Sequence, residues 1–333
     1  MGNLEQMKEL RMKKALKYSL ISVLALAAVL LCAGYYMLGF ALKPEALASR
    51  SRNIAASLEY MHQTYPEVGK WIDSLQTVGA LYDRYIENAE GTPLHALYVP
   101  AADSTNRTAV IVHGYTDNSI RMLMIGYLYS RQLGYNILLP DLYGHGLSGG
   151  TEVQMGWKDR LDVLLWTDEA NHLFGGNTQM VVHGISMGAA TTMCVAGEVQ
   201  HGVNQQPFIK CFVEDCGYTS AWDEFKGELK NQFHLPSFPL LNIASALCHM
   251  EYGWSFQEAS PLKQVKKCTL PMFFIHGDAD TFVPTWMVHP LYEAKPQPKE
   301  LWIVPGAEHA VAYKENPEEY TRKVSDFVSK YIH

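Results

Sequence analysis

The chain has 333 residues, 48% of them apolar, which suffices for one large core or two modest ones. Its 27 Lys and Arg face 34 Asp and Glu, and the resulting net charge of −7 excludes nucleic acid as a main partner, since phosphate binding needs a basic surface. Only 18% of residues are charged, which excludes global disorder, and the mean hydropathy of −0.09 averages over two unlike parts.

The first part is apolar. No charged residue occurs from Tyr18 to Leu42, a run of 25 positions. As a helix rising about 1.5 Å per residue it reaches roughly 37 Å, enough for a hydrocarbon core of about 30 Å. Lys8, Arg11, Lys13, Lys14 and Lys17 precede it, against Glu5 and Glu9, while only Lys43, Arg50 and Arg52 follow closely. The positive-inside rule then makes residues 1–17 a cytoplasmic tail, 18–42 a transmembrane signal-anchor, and the remainder an extracytoplasmic, single-pass membrane protein. The alternative is a cleaved signal peptide with Ala46-Leu47-Ala48 as the processing site and a secreted product. The run exceeds the usual h-region of about 7–15 residues, which favours retention. Residues 43–333 carry a net −10, so beyond the tether this part should not adhere to anionic lipid.

Residues 43–78 read as a helical stalk, with Ile54, Leu58 and Met61 at helical spacing and a break at Pro66. Leu81–Glu87 and Leu94–Val99 read as a hairpin around Asn88-Ala89-Glu90-Gly91. Short apolar runs follow at 109–112, 136–139, 180–182, 209–213, 272–275 and 301–304. Amphipathic stretches at 119–133, 157–174, 187–200, 285–294 and 316–331 lie between most of them. Buried strands alternating with helices predict an α/β domain over 79–333, its mostly parallel sheet covered on both faces. Residues 217–268 break the rhythm. Trp222, Phe225, Phe233, Phe238, Leu240, Leu241 and Trp254 make that segment an inserted helical cap.

Cys194, Cys211, Cys216, Cys248 and Cys268 lie past the anchor, an odd number that is no disulfide framework; a Cys248–Cys268 bridge is left open. No C-x-x-C, H-E-x-x-H or G-K-[ST] motif occurs, so neither metal nor cofactor is expected. Gly144-His145-Gly146-Leu147-Ser148-Gly149 fits a dinucleotide fingerprint, but the acids some 20 residues on, Asp168 and Glu169, fall inside a helix-like stretch rather than at a strand end.

The sharpest motif is Gly184-Ile185-Ser186-Met187-Gly188. Met180-Val181-Val182-His183 before it is strand-like, and Ala189-Ala190-Thr191-Thr192-Met193 opens a helix. Flanking glycines permit the strained turn that lifts a serine hydroxyl above a sheet edge. The helix N-terminus supplies amides to a developing oxyanion. A serine hydroxyl needs a base and an orienting carboxylate. Asp278 and Asp280 follow the strand 272–275, and His309 follows the strand 301–304. Ser186, Asp280 and His309 therefore converge on one edge of a parallel sheet. Asp278, in the same turn, and Asp215, after the strand 209–213, are the alternative acids. His113, His145, His183 and His276 read as loop or core histidines.

From about residue 80 to 330 the chain resembles an α/β-hydrolase of the esterase and serine-aminopeptidase-like branch. The resemblance rests on His113-Gly114-Tyr115-Thr116, Asp141-Leu142-Tyr143-Gly144-His145-Gly146-Leu147-Ser148, the Gly184–Gly188 turn, His276-Gly277-Asp278-Ala279-Asp280 and Glu308-His309. It implies Ser186 as nucleophile, His309 as general base and then acid, Asp280 as the orienting carboxylate, and the backbone N–H groups of Tyr115 and Met187 as oxyanion donors. The expected activity is hydrolysis of a carboxylic ester or thioester through an acyl-enzyme, on a small-molecule acyl ester or a short peptide. A serine aminopeptidase or dipeptidyl-type peptidase would use cap acids such as Glu224, Glu228 or Glu251 to hold an amine. A non-catalytic binding protein of the same fold is the alternative of another class. Oligomeric state is not legible.

Overall fold

The structure is a computed structural model, and it describes residues 2–201 and 206–333. Helix α1 (Gly2–Leu42) is continuous. Among the described residues it is the one helix long and apolar enough to cross a membrane. After a wide π-turn at Leu47–Ser51 come α2 (Ile54–Thr64) and α3 (Pro66–Val78). The Asn53 side chain caps α2 by accepting from the Ala56 N–H at 3.1 Å. Pro66 starts a new helix because a proline ring suits a first turn and breaks an interior.

The remaining elements alternate: β1 (Tyr82–Glu87), β2 (Pro93–Val99), β3 (Arg107–Val112), α4 (Leu123–Gly126), β4 (Asn136–Pro140), α5 (Asp159–Leu173), β5 (Gln179–Ile185), α6 (Met187–His201) and β6 (Ile209–Asp215). Then follow α7 (Ala221–Phe233), α8 (Leu240–Tyr252) and α9 (Pro261–Val265), which form the cap insertion, and β7 (Met272–Gly277), α10 (Val288–Ala294), β8 (Lys299–Val304), α11 (Ala312–Glu315) and α12 (Pro317–Val328). The helix predicted over 119–133 begins later, at Leu123, and loosens into a π-turn over Tyr127–Gln132. Its first residues are held in a turn, with the Arg121 N–H on Asn118 Oδ1 and the Ser119 N–H on Asp141 Oδ1.

Among the described residues one eight-stranded sheet runs β1-β2-β4-β3-β5-β6-β7-β8. Only the β1–β2 and β2–β4 pairs are antiparallel; the pairs from β4 to β8 are parallel. The chain moves outward from β3 to β4 and then crosses to β5. The carboxyl ends of β3 and β5 therefore flank the switch point where open α/β sheets hold their ligands.

Each face of the sheet carries its own core. On one, Ile72, Trp71 and Met61 of α2 and α3 pack with Leu123 and with Tyr320 and Phe327 of α12, so the predicted stalk is a covering layer of the domain. On the other, α5, α6 and the cap pack with Leu38 and Leu42 of α1. The apolar run therefore has two environments. Residues 18–29 are exposed, whereas from Gly34 onward the helix docks on the domain. The Val153 N–H donates to the Leu42 carbonyl at 2.7 Å, and a Cβ on Gly34 would lie 2.7 Å from Cγ2 of Ile243 on α8. Cys248 and Cys268 are both free, buried thiols, so the bridge left open from sequence is not formed.

Candidate active site

Ser186 sits between β5 and α6 at φ +58°, a left-handed conformation that a non-glycine residue holds only where its surroundings impose it. The glycine positions on either side have no room for a side chain. A Cβ on Gly184 would lie 2.1 Å from the Gly188 carbonyl oxygen, and one on Gly188 would lie 2.1 Å from the Val112 carbonyl oxygen. The turn is thus wedged against the end of β3, where the segment Gly114–Tyr115 begins. A Cβ on Gly114 would be 3.3 Å from Cβ of Ser186, so the Tyr115 amide segment lies beside the hydroxyl. Met187 is the first residue of α6 and is buried.

The structure brings Ser186, His309 and Asp280 together. The Ser186 hydroxyl donates to Nε2 of His309 at 2.8 Å, and Nδ1–H of His309 donates to Oδ2 of Asp280 at 2.7 Å. The other carboxylate oxygen of Asp280 accepts the N–H groups of Phe282 and Val283, each at 3.0 Å. Asp280 is buried and cannot turn away.

The alternative acids have other work. Oδ1 of Asp278 accepts the Gly306 N–H at 2.6 Å, tying the β7 turn to the loop that carries His309. Asp215 accepts the Tyr320 hydroxyl at 2.9 Å, and burial lifts its pKa to about 7. Tyr320 in turn accepts from Nε2 of His183 at 3.0 Å, and Nδ1 of His183 accepts the Tyr129 hydroxyl at 3.2 Å. Burial lowers the His183 pKa to about 3, which keeps its imidazole neutral.

His113 donates from Nδ1 to the Gly114 carbonyl and accepts the Leu142 N–H on Nε2, fixing the loop beside Ser186. His145 packs on it, and burial lowers its pKa to about 3. His276 donates from Nε2 to the Val283 carbonyl at 2.9 Å and lies 3.5 Å from Asp280. The glycines of the dinucleotide-like string lie in a loop, where a Cβ on Gly146 would collide with the Asp141 carboxylate at 2.1 Å. Asp141 itself gathers the N–H groups of Ser119 and Leu147 together with His95.

Cys216 was not singled out by the sequence as a site neighbour. Its sulfur lies within 4.8 Å of ligand atoms of Asp280 and His309. Asp280 and His309 already hydrogen-bond each other, and burial keeps the Cys216 thiol protonated, so the trio suits hydrogen bonding better than a metal ion.

Above Ser186 opens a cavity of about 240 Å³. Tyr115, Met187, Phe225, Leu229, Phe233, Leu241 and Phe256 line it, and so do Met37, Phe40 and Ala41 of α1. The Tyr115 hydroxyl donates to the Ala41 carbonyl at 2.7 Å, joining the loop beside Ser186 to that helix. No sequence signal marked the end of the apolar run as a pocket wall. Glu224 and Glu228 also face the cavity, whereas Glu251 pairs with Lys43 outside it. Burial, reinforced by Glu228 and Asp280, holds the Glu224 carboxyl well above the ordinary range, and one of its oxygens has no partner.

Residues 109–323 match the model of the alpha/beta hydrolase family. The chain belongs to that family. This α/β-hydrolase is 33% identical over 249 residues to the uncharacterized protein YqkD of Bacillus subtilis, covering 73% of this chain and 77% of that one. Among solved structures it is similar to the esterase Pf2001 of Pyrococcus furiosus, with a TM-score of 0.61, 22% identity, and coverage of 78% of this chain and 96% of the other. It is similar also to Est1E of Butyrivibrio proteoclasticus, solved with ferulic acid, with a TM-score of 0.57, 20% identity, and coverage of 74% and 98%. Both share the fold with this hydrolase.

Proposed function

We propose that the protein is a membrane-anchored serine hydrolase that cleaves carboxylic esters or thioesters. The observation that carries the reading is the unbroken chain from Ser186 through His309 to Asp280, at 2.8 and 2.7 Å, beneath an apolar cavity. Nε2 of His309 takes the proton of Ser186 as Oγ attacks the acyl carbon. The amides of Tyr115 and Met187 meet the oxyanion, each donor contributing roughly 3–4 kcal/mol. His309 then protonates the leaving alcohol or thiol. Water repeats the sequence on the acyl-enzyme, releasing the acid and restoring Ser186. The charge pattern around residues 18–42 supports a cytoplasmic N-terminus with the hydrolase domain across the membrane.

Glu224 and Glu228 favour a second reading, a peptidase that grips a substrate amine. Against it, burial favours the neutral form of Glu224, a poor counter-ion for an ammonium. Comparing p-nitrophenyl butyrate with aminoacyl-p-nitroanilides separates the two. For the nucleophile the direct test is fluorophosphonate capture. Wild type labels and Ser186→Ala does not; equal labelling of the two removes Ser186 from the mechanism.

A further inference from the structure

Helices α1 and α8 lie side by side and run in the same direction. Gly34 meets Ile243 and Leu247 near the start of the contact, and Lys43 meets Glu251 and the Tyr252 ring at its end. The loop ahead of α8 therefore lies level with the part of α1 that precedes Gly34, where the helix faces outward. That loop is apolar. Phe238 is 75% exposed, Leu235 is 43% exposed, and no Asp, Glu, Lys or Arg occurs from Leu235 to Cys248.

A hydrocarbon core of about 30 Å takes about 20 helical residues. Counted from Lys17, the far boundary falls close to Tyr35 and Tyr36, both exposed, the residue type that settles at a membrane interface. Met37, Phe40 and Ala41, which wall the cavity above Ser186, follow within one or two turns. Phe40 and Pro44 border both that cavity and the outer groove formed with Tyr35, Tyr36 and Lys43, so these two residues separate the one from the other.

The geometry points to a substrate drawn from the bilayer: a long-chain acyl ester of a membrane lipid, whose chain reaches the cavity sideways along α1, past Phe40, from the leaflet next to the hydrolase domain. The inference rests on Ser186 as nucleophile and α1 as anchor. It adds that the anchor's end is a wall of the acyl site and that the α7–α8 loop is immersed beside it. Burying that loop is an apolar effect and needs no basic surface, in keeping with the acidic domain.

The test uses the full chain reconstituted in phosphatidylcholine vesicles. Two probes are compared, p-nitrophenyl palmitate dissolved in the bilayer and p-nitrophenyl butyrate in the water, alongside fluorophosphonate labelling. Phe238→Asp is expected to lower palmitate hydrolysis at least tenfold while butyrate hydrolysis and labelling stay within twofold. Met250→Asp, at the far end of α8 and equally exposed, is expected to change neither. Palmitate hydrolysis unchanged in Phe238→Asp, or butyrate falling in parallel, overturns the inference while leaving the serine mechanism standing. Failure of the wild type to label overturns the mechanism and the inference together.

Discussion

Asp280 divides its two oxygens between His309 and a pair of backbone amides, and that division sets its expected phenotype. Asp280→Asn keeps an oxygen for Phe282 and Val283 but turns an amide toward Nδ1 of His309, which favours the wrong tautomer. A fall in kcat of about 10⁴ on p-nitrophenyl butyrate is expected, with KM little changed. Asp278→Asn still accepts the Gly306 N–H and should cost less than tenfold, so comparable losses in the two variants would reassign the acid. The Ser, Asp, His order was legible because each residue follows its own strand, and strand ends of a parallel sheet converge. The relay from Tyr129 through His183 and Tyr320 to Asp215 was not. Its members are far apart in sequence and meet only through packing across the β5–β6 edge.

Elements were legible wherever burial imposed a period. The six predicted parallel-sheet strands lie where the apolar runs stand, and the hairpin of β1 and β2 pairs Tyr82 with Tyr98. The end of α1 was read differently, because hydropathy does not distinguish a helix face left exposed from one turned to a cap. Leu24 and Leu42 belong to the same uncharged run, yet Leu24 is 60% exposed and Leu42 fully buried. Leu42→Ala is expected to destabilise the detergent-solubilised chain by about 2–5 kcal/mol, the usual cost of emptying a buried leucine site. Leu24→Ala should stay within about 0.5 kcal/mol. Equal denaturation midpoints for the two would mean that the end of α1 is not part of the folded domain.

At the scale of the molecule, several buried carboxyls on and beside the sheet set how stability follows pH. Burial, with help from Asp162, lifts Asp159 to about 8; burial also lifts Asp162 to about 6 and Asp215 to about 7. These groups have ordinary values near 3.8 when the chain unfolds. Between pH 4 and each raised value the folded state binds a proton that the unfolded state has lost, so stability falls as pH rises and levels off above it. Each such proton contributes a slope of up to about 1.4 kcal/mol per pH unit. Asp141 acts in the opposite sense: burial pushes it up, but His95 and the Leu147 N–H outweigh that and hold it below its ordinary value, so its contribution disappears as the solution is acidified. Buried His145 and His183, held near 3 against an ordinary 6.5, act in the same sense as Asp141 and cost stability below about pH 6.5, so the carboxyl-driven decline stands alone only from about pH 7 upward, where the domain's net negative charge deepens it. Asp159 offers the cleanest separation of these effects, because one of its oxygens accepts the Gly156 N–H at 2.8 Å and the other has no partner. Asp159→Asn keeps that bond with a side chain that never ionises. Urea unfolding followed from pH 5 to 9 should show a shallower decline for the variant, which overtakes wild type above pH 7. Parallel curves for the two proteins would mean that Asp159 is already ionised in the fold.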